Sequence, residues 1–222
     1  LGDVYKRQLY KLKAIMNDKI KYFIPKIKNR IPSYVAKFSE HLPVDKISLM
    51  GIDSITGKAD FLERLEAMLG VDLPSIVRNA AEEEHSFILC SAEETKQHIF
   101  NVLGSGPVKM ESINWSREIK TGFEWPVGGY YLKIRALTPK GSDIKIPWEI
   151  SRCHHLLWMA EAYCLTGDES YAEEVVEQMR HWIEHNPLMY SVNWTCAMDV
   201  SIRAVNWMYT FIMIGTSKTV TD

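Results

Sequence analysis

The sequence predicts an all-α fold, a helical hairpin array or toroid, on three observations. Apolar residues recur at helical spacing from Pro147 to Ile214. Gly, Asp and Pro punctuate that stretch where helices stop and start. The connections are short, LTGDES at 165–170 among them, so successive helices run antiparallel. No fixed period recurs, which argues against a solenoid.

The elements follow in order. Residues 1–8 (LGDVYKRQ) resemble a translated adapter scar and are set aside as an artefact. Residues 9–89 form a variable, basic, helical lead-in. Within it, 9–41 read as one or two amphipathic helices broken at Pro25 and Pro32. Residues 42–57 read as irregular, punctuated by Pro43, Gly51 and Gly57. Lys58 to Leu69 is a short helix with Phe61, Leu62, Leu65 and Leu69 on one face and Gly70 as its stop. Leu73 to Ala81 continues helically past Pro74, and a further helix is expected over Ala92 to Leu103, ended by Gly104.

Residues 104–146 are expected to be a long irregular segment with at most short strands, and such a segment is functional or wraps the surface. From Pro147, suited to a first helical position, one helix is expected to run to Gly167. Ile150, His154, Leu157, Glu161 and Cys164 trace one stripe of it, and Trp148, Arg152, His155 and Met159 the neighbouring one. Asp168 caps the next helix, which runs to about Glu184 and is stopped by Asn186-Pro187. A third helix is expected from near Asn193 to Ile214, apolar nearly all round and therefore buried. Residues 215–222 read as a truncated end.

Composition narrows the class. The 222 residues carry 46% apolar and 24% charged side chains, which is globular. Net charge is −2, so no global field argues for nucleic acid. Residues 6–30 nevertheless hold nine Lys and Arg against Asp18, which suits an acidic polymer, a membrane surface or a solvated helix face. No apolar run reaches membrane-spanning length. Seven Trp and ten Tyr serve a large aromatic core or the stacking of sugar rings. Cys90, Cys153, Cys164 and Cys196 have neither zinc-ribbon nor redox spacing. His181 and His185 are four apart, as zinc ligands are, but no H-E-x-x-H is formed, and no metal is expected. LGSGP at 103–107 is no P-loop, because no G-K-[ST] follows.

Several blocks resemble the N-terminal domain of the heparinase II/III family. They are HIFNVLGSGPV (98–108), INWSREIKTGFEW (113–125), DIKIPWEISRCHHL (143–156), AYCLTGDESYAEE (162–174), WIEHNP (182–187) and VNWTCAMDVSIRAVNW (192–207). Their order and spacing fit as well, over residues 90–214. The resemblance implies an incomplete (α/α) toroid followed by an antiparallel β-sheet domain that this chain lacks. It implies β-elimination of a uronate-containing acidic polysaccharide, heparin/heparan sulfate-like, without a cofactor. It also implies a periplasmic or secreted bacterial protein, with a cytoplasmic one as the alternative.

That chemistry removes the C5 proton of a uronate and expels the oxygen on C4. The adjacent carboxylate makes C5 weakly acidic, so charge building on the carboxylate must be held. The resemblance assigns that task to Asn193, with the proton-transferring Tyr and His expected later in the chain. The bland alternative for Asn193 is a helix N-cap. Asp199, Arg203 and Asn206 make a polar stripe, readable as an Asp199–Arg203 bridge or as Arg203 facing a substrate anion. Glu149 and Arg152 are read as tying their helix to its neighbours, with Arg152 also a candidate for substrate contact. Trp148 and Trp194 stack on sugars or pack in the core. A non-catalytic glycan-binding or assembly protein on the same scaffold is the alternative function. A hydrolase would need Glu149 and Asp199 to face one cleft.

Overall fold

The computed structural model describes residues 57–134 and 139–220. The adapter-like residues 1–8, the basic helices expected over 9–41 and nearly all of 42–57 lie outside them. The chain divides into two compact units, Leu1–Phe61 with Asp222, and Leu62–Thr221. The second unit carries the architecture described below.

Helices dominate, and strands are limited to one two-residue hairpin. Helix α1 (Lys58–Leu69) ends at Gly70, as expected. Helix α2 (Leu73–Arg78) is capped by Asp72, whose carboxylate accepts from Ser75 N at 3.0 Å. Helix α3 (Glu82–Lys96) begins ten residues earlier than the helix expected over Ala92 to Leu103. Its first turn holds Glu82, Glu83 and Glu84, which the positive helix end favours, and Glu84 accepts from Ala81 N at 3.0 Å. It buries only the small Ser91, Ala92 and Thr95, so it presents no large apolar stripe to the eye. His98, at φ +56°, turns the chain out of the helix. Ile99–Phe100 (β1) then pairs antiparallel with Val108–Lys109 (β2) around a turn in which Leu103 and Gly104 are left-handed.

The segment 104–146 is irregular, with one short helix, α4 (Tyr131–Ile134), and one bridge between Arg117 and Glu124. Buried Trp115 and Trp125 anchor it. The buried Glu118 carboxylate accepts from Lys120 N and Thr121 N, which closes the tight turn at 118–122.

The helix expected as one piece after Pro147 is two: α5 (Lys145–Ser151) and α6 (His155–Thr166). Cys153, at φ +60°, breaks it. The carbonyls freed by the break find donors elsewhere: Arg203 Nη1 reaches Ser151 O at 3.0 Å and Asn206 Nδ2 reaches Arg152 O at 2.8 Å. Helix α7 (Glu169–His185) is capped by Asp168, which accepts from Ser170 N at 2.9 Å. A 3-10 turn (Val192–Trp194) precedes helix α8 (Ala197–Ile214), which therefore starts four residues after Asn193.

Helix α6 is the centre of the unit and packs against α2, α3, α7 and α8. Helix α8, expected to be buried all round, is enclosed that way only over Thr210 to Ile214. Its first half buries the polar stripe Asp199, Arg203 and Asn206 and leaves Met198 and Val205 exposed. Gly215, just beyond it, lies so close to Leu62 that an added Cβ would stand 2.6 Å from a methyl carbon. Among the described residues no helix is long and apolar enough to cross a membrane.

Gly167 sits at φ +70° with open space where a Cβ would be. Gly167→Ala therefore meets backbone strain alone and is expected to cost about 1 kcal/mol. Denaturant unfolding of the two proteins side by side checks this, and an unchanged midpoint would contradict it.

Candidate functional site

The predicted site residues gather where α5, α7, the 3-10 turn and α8 meet. Asn186 ends α7, with its Nδ2 donating to Trp182 O at 2.8 Å. Its Oδ1 accepts from Ser191 Oγ and from Asn193 Nδ2, each at 2.8 Å. Asn193 Nδ2 also donates to Trp115 O at 2.7 Å, tying the irregular segment to this corner. An amide nitrogen has two N–H bonds, and both are now spent. Trp115 O can only accept, so the amide cannot be turned the other way round. Asn193 is 1% exposed, and its Oδ1 makes no hydrogen bond.

This corrects the N-cap expectation for Asn193. It does not cap α8, whose N-cap position is Cys196, and Ser191 rather than Asn193 caps the 3-10 turn. Both of its amide donors are bound within the corner, to Trp115 O and Asn186 Oδ1.

Arg203 is buried beneath that corner. Its guanidinium carbon lies 4.0 Å from the Trp182 ring centre and 5.1 Å from that of Trp194. It donates to Ser151 O at 3.0 Å and Asn193 O at 3.3 Å. Burial pulls its pKa down to about 10, so it stays charged at neutral pH. The expected Asp199–Arg203 bridge is replaced by another pairing: Asp199 Oδ1 accepts from Arg152 Nε at 2.6 Å. Arg152 also pairs with Glu149, so it clamps α5 to α8 between two carboxylates. Helix spacing suggested i,i+4 pairing, but the break after Ser151 turns Arg152 toward Asp199 and leaves Arg203 to the main chain.

Trp148 donates through Nε1 to Val192 O and Thr195 Oγ1, each at 3.0 Å, and Trp194 to Asn186 O at 3.2 Å. Both rings are buried, as is Arg203, and offer no face to a sugar. Glu149 and Asp199 share Arg152, and Asp199 is 1% exposed, so they form no pair of carboxylates open to one cleft.

An open cleft of about 200 Å³ lies beside the clamp. Glu149, Ile150, His154, His155 and Trp158 wall one side, and Thr95 with Ile99 to Leu103 the other. His155 Nε2 meets Gln178 Oε1 at 3.1 Å, Gln178 Nε2 donates to Glu174 Oε1 at 2.8 Å, and His98 Nε2 meets Glu174 Oε1 at 3.0 Å. Burial drives the His155 pKa down to about 3, so the ring is neutral. None of Trp158, Asn101 or Gln178 stands out in the sequence, because the cleft joins residues that are local in space only.

His181 Nδ1 accepts from Trp115 Nε1 at 2.8 Å, and His185 Nδ1 donates to His181 O at 2.8 Å. Among the described residues, no group of three or more metal-ligating side chains comes together.

Two outcomes follow. Asn193→Ala strands Trp115 O and opens a hole, and is expected to cost about 2–4 kcal/mol of stability. A purely ligand-facing amide would leave the denaturant midpoint unmoved. His155 titrates in the unfolded chain at 6.5 and in the folded one near 3. The unfolded chain therefore takes up the proton first, and stability that is full above pH 6.5 declines as pH falls toward 3. In that window the slope of unfolding free energy against pH should exceed that of His155→Phe by up to about 1.4 kcal/mol per unit. Equal slopes would exclude His155 as the source.

Neither a curated protein nor a solved structure matches the chain. The heparinase II/III N-terminus family matches residues 85–222, more than half of its length. The matched stretch takes in most of α3, the irregular segment, the corner and α8, and the chain belongs to the heparinase II/III family through its N-terminal domain.

Proposed function

We propose that this chain is the helical, N-terminal part of a polysaccharide lyase that cleaves uronate-containing, heparin- or heparan sulfate-like polymers by β-elimination. Membership of the heparinase II/III N-terminus family over residues 85–222 carries this reading. The packing of α6 against both α7 and α8 suits an open toroid of helices, with the polymer lying along it. A periplasmic or secreted setting suits a substrate of that size.

In the reaction, a base takes the C5 proton while the electron pair forms the C4=C5 double bond. The C4–oxygen bond breaks, and the leaving oxygen takes a proton from an acid. The Tyr and His that move these protons belong, in this reading, outside the described residues. The helical part contributes a rigid wall. For Asn193 to hold the substrate carboxylate itself, the corner must open and release one of its two N–H donors.

A second reading is a non-catalytic glycan-binding or assembly protein on the same scaffold. The basic lead-in supports it, with nine Lys and Arg over residues 6–30 against Asp18.

The test is ultraviolet absorbance of unsaturated uronate products from a panel of acidic polysaccharides, using protein purified from its source that carries this chain. Product release supports the lyase. Binding without product supports the second reading, and neither binding nor product overturns both. The 222-residue chain alone is expected to form no product. Sustained turnover by it would refute the placement of the acid and base.

A further inference from the structure

The cleft beside the Arg152 clamp has no role in the account above, yet its lining is chemically one-sided. Its wall residues include Glu149, Asn101, His154 and His155 but no Lys or Arg. Beside it, Arg152 is taken by Glu149 and Asp199, and the Lys120 ammonium by the Leu103 carbonyl. Burial lowers the pKa of both His154 and His155, so neither imidazole supplies a positive charge at neutral pH.

The tautomer of His155 follows from its partners. Glu174 accepts the Gln178 N–H, which aims Gln178 Oε1 at His155. His155 Nε2 must then carry the proton, leaving Nδ1 with a lone pair. The cleft thus offers acceptors and no lining cation, so it gives a carboxylate or sulfate no partner and suits a ligand that brings hydroxyl donors.

Its apolar side is equally specific. Trp158 is 36% exposed, an unusual state for a Trp on the central helix of the unit. Phe87 of α3, itself exposed, meets it edge-on, with ring centres 6.1 Å apart. A half-open indole beside a carboxylate and an amide suits a pyranose, which has an apolar C–H face and a hydroxyl rim. The opposite wall is preformed: Lys120 Nζ donates to Leu103 O at 2.5 Å and Ser105 Oγ accepts from Val102 N at 3.1 Å. A cleft of about 200 Å³ has room for a sugar ring.

We infer that this cleft, with Trp158 as platform and Glu149 and Asn101 as hydroxyl acceptor and amide partner, binds a single uncharged pyranose residue. The inference rests on the glycan reading but not on elimination. In a polymer alternating uronate with another sugar, the cleft selects the uncharged ring and leaves the uronate to lie elsewhere.

The test uses the full chain and saturation-transfer NMR with methyl β-glucopyranoside, N-acetylglucosamine and glucuronate. Both neutral sugars are expected to receive saturation, and glucuronate to bind at least tenfold more weakly. Trp158→Ala, a change at a half-open position, should weaken neutral-sugar binding at least tenfold, and Trp158→Phe should restore most of it. Glu149→Gln should narrow the gap between glucuronate and the neutral sugars. Circular dichroism and unfolding midpoints confirm that each variant folds. Absent transfer to neutral sugars, equal binding of glucuronate, or a folded Trp158→Ala variant that binds as before would each overturn the inference. Neutral-sugar binding without any lyase product leaves this inference standing and removes only elimination. Product without neutral-sugar binding does the reverse.

Discussion

Among the described residues, one buried cation ties a corner of the helical unit together. Arg203 lies between the Trp182 and Trp194 rings and donates to carbonyls of α5 and the 3-10 turn. Four elements therefore meet on one guanidinium. A charge in that position is costly to dehydrate, and only the planar, delocalised, five-donor geometry of Arg satisfies two aromatic faces and two carbonyls at once. Lys in its place would supply the charge without the fork.

The Arg203 arrangement explains why the polar stripe of α8 was readable and its partners were not. Asp199, Arg203 and Asn206 stand out as polar residues on an apolar helix. Their spacing suggests a pair within the helix. Their actual partners, Arg152, Ser151 and the Arg152 carbonyl, lie about fifty residues away and come into reach because the chain breaks at Cys153. A left-handed cysteine leaves no mark in a helical pattern. Asn193 is similar: its place near a helix start was legible, whereas its bond to Trp115 O spans 78 residues.

Local signals fared better. Gly70, Gly167 and Asp168 mark their helix ends because capping depends on the residues beside them. The all-α class was legible for the same reason. Helix α3 escaped because its buried face is made of small residues, while Ile99 and Phe100, apolar enough to extend a helix, are instead held in a hairpin by His98 and Leu103 in left-handed conformations. The family was legible from whole blocks, which carry more information than any one side chain in them.

The break at Cys153 also has a mechanical meaning. Because α5 and α6 share no continuous ladder of hydrogen bonds, the end of α5 is held by side chains of α8 rather than by its own continuation. Helix α8 thus holds both segments, α5 through the side chains of its polar stripe and α6 by direct packing. The wall of the cleft that carries both Glu149 and Trp158 is therefore backed by a helix fifty residues downstream.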